Sequence, residues 1–120
     1  MYSSDEQARL KRRVQIEAEL ERCVSLLIRD YKPDKIILFG SMVHGDTCSS
    51  SDIDLVVVKS TEVRFLDRIE TVLRLLQPRT GIDVLVYTPE EFEQLARERA
   101  FVRKEILGKG KLLYERTTGE

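Results

Sequence analysis

The sequence predicts an α/β (α+β) domain, a small mixed sheet of three to four strands with helices packed on it. Three observations carry this. Apolar runs at 35–39, 53–59 and 82–87 are short, β-branched and bounded by turn residues. Stretches of helical periodicity lie before, between and after them. The strand–helix–strand order of residues 53–87 implies a right-handed parallel crossover.

The first element is a long helix over 4–31. Ser4 with Gln7 three residues later resembles a capping box, and Leu10, Val14, Leu20, Val24, Leu27, Ile28 and Tyr31 recur at helical spacings until Pro33 stops the run. At 1.5 Å per residue this helix is about 40 Å long, more than a domain of this size needs. Its first half is dense in charge, which fits a solvated end or a face for a partner chain. Strand 35–39 follows, then a loop over 40–51 and the strand 53–59.

Thr61 is placed to cap a helix over 62–76, with Phe65, Leu66, Ile69, Val72, Leu73 and Leu76 as its apolar stripe. Pro78 and Gly81 turn the chain into strand 82–87. Thr88-Pro89-Glu90-Glu91 is a helix start, with a capping Thr, Pro at the first helical position and Glu three after the cap. The helix over 90–107 is expected to break near Arg99-Ala100, where the apolar spacing shifts. Gly108 and Gly110 end it, and Leu112-Leu113-Tyr114 adds a short strand. Residues 1–120 read as a single domain with its core at about 32–114.

Twenty basic against twenty-one acidic residues give a net charge of −1, which argues against binding long nucleic acid through a broad basic face. No apolar stretch approaches the ~20 residues of a membrane span, and the charged, polar residues 1–13 are unlike a secretory signal. Cys23 falls on a helical apolar face and Cys48 in a polar loop, so a disulfide between them is not expected and a cytoplasmic location is.

The chemistry concentrates where the first apolar run ends. Gly40-Ser41 follows Ile36-Ile37-Leu38-Phe39, and ten residues later Asp52-Ile53-Asp54 opens the next run. In a strand, residues i and i+2 share a face, so both carboxylates are expected to point the same way. Asp83, between Ile82 and Val84, comes alongside if the crossover places its strand next to theirs. Like charges ~4 Å apart repel by roughly 4 kcal/mol at an effective dielectric of ~20. Such a group therefore calls for protonation or for a hard cation bound by carboxylate oxygens. A glycine lets backbone approach a ligand, and amides in a tight turn point at anionic oxygens. An acidic cluster facing a phosphate-cradling turn suits in-line phosphoryl or nucleotidyl transfer. Taken singly, these residues are ordinary turn and strand-end residues. His44, the single histidine, is either a solvated loop residue or a phosphate contact. Lys32, Lys35, Lys59, Arg64 and Arg79 lie near strand ends, where they could reach a triphosphate.

The combination of strand, Gly40-Ser41, ten residues, Asp52-x-Asp54, apolar run, helix and Asp83 resembles the DNA polymerase beta-like nucleotidyltransferase superfamily. The resemblance runs from about Lys32 to Tyr114. Small size, Glu105-Ile106-Leu107 and Leu112-Leu113-Tyr114-Glu115 look like its minimal branch, whose members are often antitoxins paired with helical HEPN toxins. The resemblance implies that Gly40 and Ser41 hold the β- and γ-phosphates of ATP, with His44 where many relatives carry arginine. It implies that Asp52 and Asp54 bind two Mg²⁺ ions, and that Asp83 shares one and orients, or helps deprotonate, the attacking hydroxyl. The implied activity is transfer of AMP to a tyrosine hydroxyl of the toxin. The competing expectations are a non-catalytic antitoxin that occludes its partner, and an antibiotic-type adenylyltransferase. A homo-oligomer or a hetero-oligomer with the partner fits the long first helix.

Overall fold

The computed structural model describes residues 3–40 and 52–117. A four-stranded sheet of order β3-β2-β1-β4 forms the centre. Its strands are β1 (Lys35–Phe39), β2 (Ile53–Val58), β3 (Ile82–Tyr87) and β4 (Lys111–Glu115). β2 runs antiparallel to β1 and parallel to β3, and β4 closes the other edge antiparallel to β1. The mixed α/β class agrees with the sequence reading, as do the spans of β1 and β3; β2 stops one residue early, at Val58, and β4 is one residue longer at each end than Leu112–Tyr114.

β2 is buried along its whole length, because helices cover both faces of the sheet. On one face Ile53, Leu55 and Val57 join Ile36, Leu38, Val84 and Val86 beneath helices α1 (Ser4–Leu26) and α2 (Phe65–Leu76). On the other face Val56, Val58 and Ile37 pack on Phe92 of α3 (Pro89–Glu98), and on Val102 and Ile106 of the π-helical turn Val102–Gly108.

Helix starts follow local chemistry, with two corrections. Ser3, not Ser4, caps α1, its hydroxyl accepting from the Glu6 N–H at 3.2 Å. Thr61 accepts from the Val63 N–H at 3.1 Å in a turn that precedes α2, which begins only at Phe65. At Thr88 the capping box forms in both directions, with Glu91 N–H to Thr88 Oγ1 at 3.1 Å and Thr88 N–H to Glu91 Oε1 at 2.9 Å.

The first helix does run to Tyr31, but its last five residues, Leu27–Tyr31, are π-helical, and Lys32 N–H reaches Leu27 O at 2.8 Å. Lys32 then turns left-handed at φ 55° ahead of Pro33. Only the second half of α1 packs on the sheet. Leu10 and Val14 are exposed, as are residues 3–15 throughout. In the last helical stretch the expected break falls at Arg99, whose extended backbone separates α3 from the π-turn.

The buried face of α2 differs from the expected stripe. Leu66 is 76% exposed, and Arg68 is buried. Arg68 donates to Val63 O at 2.6 Å, to Val86 O at 3.2 Å and to Glu91 Oε1 at 2.7 Å, tying α2 to β3 and α3. At one residue per 100° Arg68 shares a face with Phe65, Val72 and Leu76; its charge is what excluded it from the apolar pattern.

Candidate active site

Strand pairing assembles the acidic end. In the parallel β2–β3 ladder Asp54 is the direct partner of Asp83. Side chains of such partners share a face, with strands about 4.8 Å apart. Both continue the rows that run through Val56 and Val58 on β2, and through Leu85 and Tyr87 on β3. The two carboxylates therefore emerge where the apolar row on the α3 side ends. Asp54 is 6% exposed, and Asp83 is exposed.

From the other side of β2, Phe39 pairs with Asp54, and Gly40 follows it. Gly40 sits at φ 79°, in left-handed backbone. A Cβ there would overlap Asp54 Oδ2 and stand 2.9 Å from its Cγ. Two demands thus fall on one position, a positive φ and bare backbone against a carboxylate, and glycine meets both. On the same face Phe101 meets Phe39 edge-on, ring centroids 6.5 Å apart.

Asp52 departs from the sequence expectation. β2 begins at Ile53, so Asp52 lies in a bend, where strand alternation does not govern it. Its backbone N–H donates to Gly81 O at 2.9 Å, which fixes it beside the start of β3. Its carboxylate accepts from Arg12 Nη2 at 3.0 and 2.9 Å, and from the Gly81 N–H at 3.3 Å. Asp52 is therefore at the same sheet end as Asp54 and Asp83 but is paired with α1. Among the described residues no three His, Cys, Asp or Glu side chains form a ready metal-ligand group. Asp54 and Asp83 are brought together, and Asp52 would have to leave Arg12 to join them.

The donor chemistry nonetheless fits a hard divalent ion. Two carboxylate residues are direct partners on neighbouring strands, and the backbone beside Asp54 is kept bare at Gly40. Ser41 and His44, expected to touch phosphate, lie outside the described residues, as does Cys48.

Most of the strand-end cations go elsewhere. Lys35 pairs with Val58, four residues along the ladder from the Phe39–Asp54 pair, about 13 Å away at strand spacing. Lys59 Nζ binds Tyr31 O at 2.6 Å at that same far end. Lys32 precedes β1 there, and Arg64 precedes α2 after the chain has left β2. Arg79 lies at the acidic end, where its backbone N–H donates to Glu19 Oε2 at 2.6 Å.

Glu19 is the anchor of α1. It is buried, and its pKa is held at about 2, chiefly by the Arg22 guanidinium at 2.7 Å. Arg22 also donates to Leu76 O at 3.0 Å, so the pair fastens α1 to the turn leading into β3. Cys23 beside it is a free, buried thiol, pushed by burial up to about 11, which leaves it unreactive. Neither Arg12 nor Arg68 carried a sequence signal for its role. Arg12 lies forty residues from its carboxylate partner, within a charge-dense helical stretch.

Comparison with known proteins agrees with the geometry. No match was found among curated protein sequences. A crystal structure of a Sulfolobus solfataricus protein assigned to the nucleotidyltransferases superposes with a TM-score of 0.62 at 20% identity, covering 89% of this chain and 86% of that one. The likeness shows the same fold. Residues 21–118 match the family model for polymerase beta nucleotidyltransferases. That match spans β1 to β4 and every carboxylate at the acidic end, and by it the chain belongs to the polymerase beta nucleotidyltransferase family.

Proposed function

We propose that this domain transfers AMP from ATP to a hydroxyl, a tyrosine in the first instance, on a partner protein, and serves as the antitoxin of a HEPN-type toxin. The observation that carries the catalytic part is the Asp54–Asp83 ladder pair beside Gly40. Support for a macromolecular acceptor comes from the exposure of Asp83, which leaves its carboxylate open to a group presented from outside.

In this reading Asp52, Asp54 and Asp83 hold Mg²⁺, which when bound neutralises polyphosphate charge and orients the α-phosphate. Gly40 and Ser41 take the β- and γ-phosphates through backbone amides and a hydroxyl, with His44 as a further contact. The acceptor oxygen attacks the α-phosphorus, and its proton passes to Asp83. The bond from the α-phosphorus to the bridging oxygen breaks as pyrophosphate leaves. Asp54, buried against Gly40, is held in place throughout.

A second reading, a non-catalytic antitoxin that covers its partner, draws on the exposed Leu10 and Val14 of α1. One experiment separates the two. The chain is incubated with α-labelled ATP, Mg²⁺ and a candidate partner, a small helical protein with an Arg-x4-6-His motif sought in the neighbouring reading frames. Label is expected on the partner, and is expected to vanish in Asp54→Asn and Asp83→Asn while the complex still forms. Label that persists in both variants overturns the metal mechanism; neutralisation of the partner without label favours occlusion.

A further inference from the structure

Among the described residues, the Arg12–Asp52 contact is the hydrogen bond by which residues 4–15 reach beyond their own helix. Glu6 bonds back to Ser3, and Arg13 bonds forward to Glu17. This half of α1 is otherwise exposed. Its tie to the body thus ends on a carboxylate that the reading above gives to the metal.

A guanidinium nitrogen lying 3.0 and 2.9 Å from the two Asp52 oxygens sets its positive charge between them, where a divalent ion held by both oxygens would sit. We infer that Arg12 is a positioning residue that acts as an internal competitor of the metal, holding Asp52 in the metal-free chain and yielding it when a divalent cation binds. The inference rests on the metal-site reading of the acidic end. Its consequence is a coupling between the site and the seating of α1. Metal loading releases the N-terminal half of the helix from the body. By reciprocity, whatever draws that half of α1 away tightens metal binding by the same factor. The site thereby senses what is bound to its first helix.

The contact is largely solvated, with Arg12 61% and Asp52 26% exposed, so the effect is modest. Pairs of this kind correspond to about a two- to five-fold change in a binding constant.

The test is calorimetric titration of the nucleotide-free chain with Mn²⁺, comparing the native sequence with Arg12→Gln and Arg9→Gln. The second variant removes the same charge from the same helix without touching the contact. Arg12→Gln is expected to bind Mn²⁺ two- to five-fold more tightly, and Arg9→Gln to bind as the native chain does. Amide exchange gives an independent readout. Mg²⁺ should speed exchange in residues 4–15 of the native chain, whereas Arg12→Gln should exchange fast with or without it. Equal gains in the two variants would mean long-range charge alone and would overturn the inference, as would weaker or unchanged binding in Arg12→Gln. If the native chain bound no metal, this inference and the metal-site reading would fall together. Native binding with no gain in Arg12→Gln removes only the role of Arg12.

Discussion

Gly40 and Asp54 are so close that the glycine's missing Cβ is the space the carboxylate occupies. The relationship joins the end of β1 to the start of β2, and it makes the shape of the acidic end depend on one residue without a side chain. Gly40→Ala must adopt a left-handed backbone, at a cost of roughly 1–2 kcal/mol, and must also push Asp54 aside. The variant is expected to lose at least that much stability, unfolding at a lower urea concentration, and to lose divalent-metal binding outright. Urea titration read beside Mn²⁺ calorimetry checks both.

Asp83→Asn should show opposite effects with and without metal. In the metal-free chain two like charges stand opposite each other in the β2–β3 ladder; relieving one such pair is worth about 0.2–1 kcal/mol. The variant is expected to melt slightly higher than the native chain in chelator. In millimolar Mg²⁺ the order should reverse, because ligand binding stabilises only the chain that retains the site. Paired thermal melts decide it. A native chain whose melting is indifferent to Mg²⁺ would count against the site.

Glu19 supplies a pH dependence with a definite sign. Its folded pKa lies at about 2, against an ordinary value of 4.5, first because of Arg22. A depressed carboxylate stabilises the fold fully above its unfolded pKa. That stability is lost as pH falls from about 4.5 toward 2. Its size is about 1–3 kcal/mol once solvent around the partly exposed Arg22 is allowed for. Glu19→Gln should cost that amount at pH 7 and flatten the stability curve in the acid window. Denaturant midpoints at pH 7, 4 and 2.5 measure it.

Arg68→Met keeps the packing volume but removes the donors to Val63 O, Val86 O and Glu91. The Val86 carbonyl is left without that partner in the core, and a loss of about 2–3 kcal/mol is expected. Glu91 keeps its bond from Thr88 N–H and is half-exposed, so Glu91→Gln should cost less than half as much. Equal costs would show that the ion pair, not the buried carbonyl, carries the stability.

Local chemistry made much of this molecule legible. The β1 and β3 spans, the Thr88 capping box and the Arg99 break each depend on a few adjacent residues. The Gly40, Asp54 and Asp83 constellation was readable because strand ends and a crossover place those residues by topology. Where reading failed, the deciding partner was distant or charged. Leu66 obeys the helical period yet faces outward, while the arginine two residues later is buried, because carbonyls of β3 and the α2 entry accept its protons.

By itself, then, the order of residues determined the mixed α/β class, the strands and the convergence of acidic residues at one sheet end, since periodicity and turn chemistry are short-range. The tertiary structure alone decided the register that sets Asp54 opposite Asp83, the close approach of Gly40, and the capture of Asp52 by Arg12. Ladder register and long-range ion pairs join residues far apart in the chain, and their energies exist only once the sheet and its helices have packed.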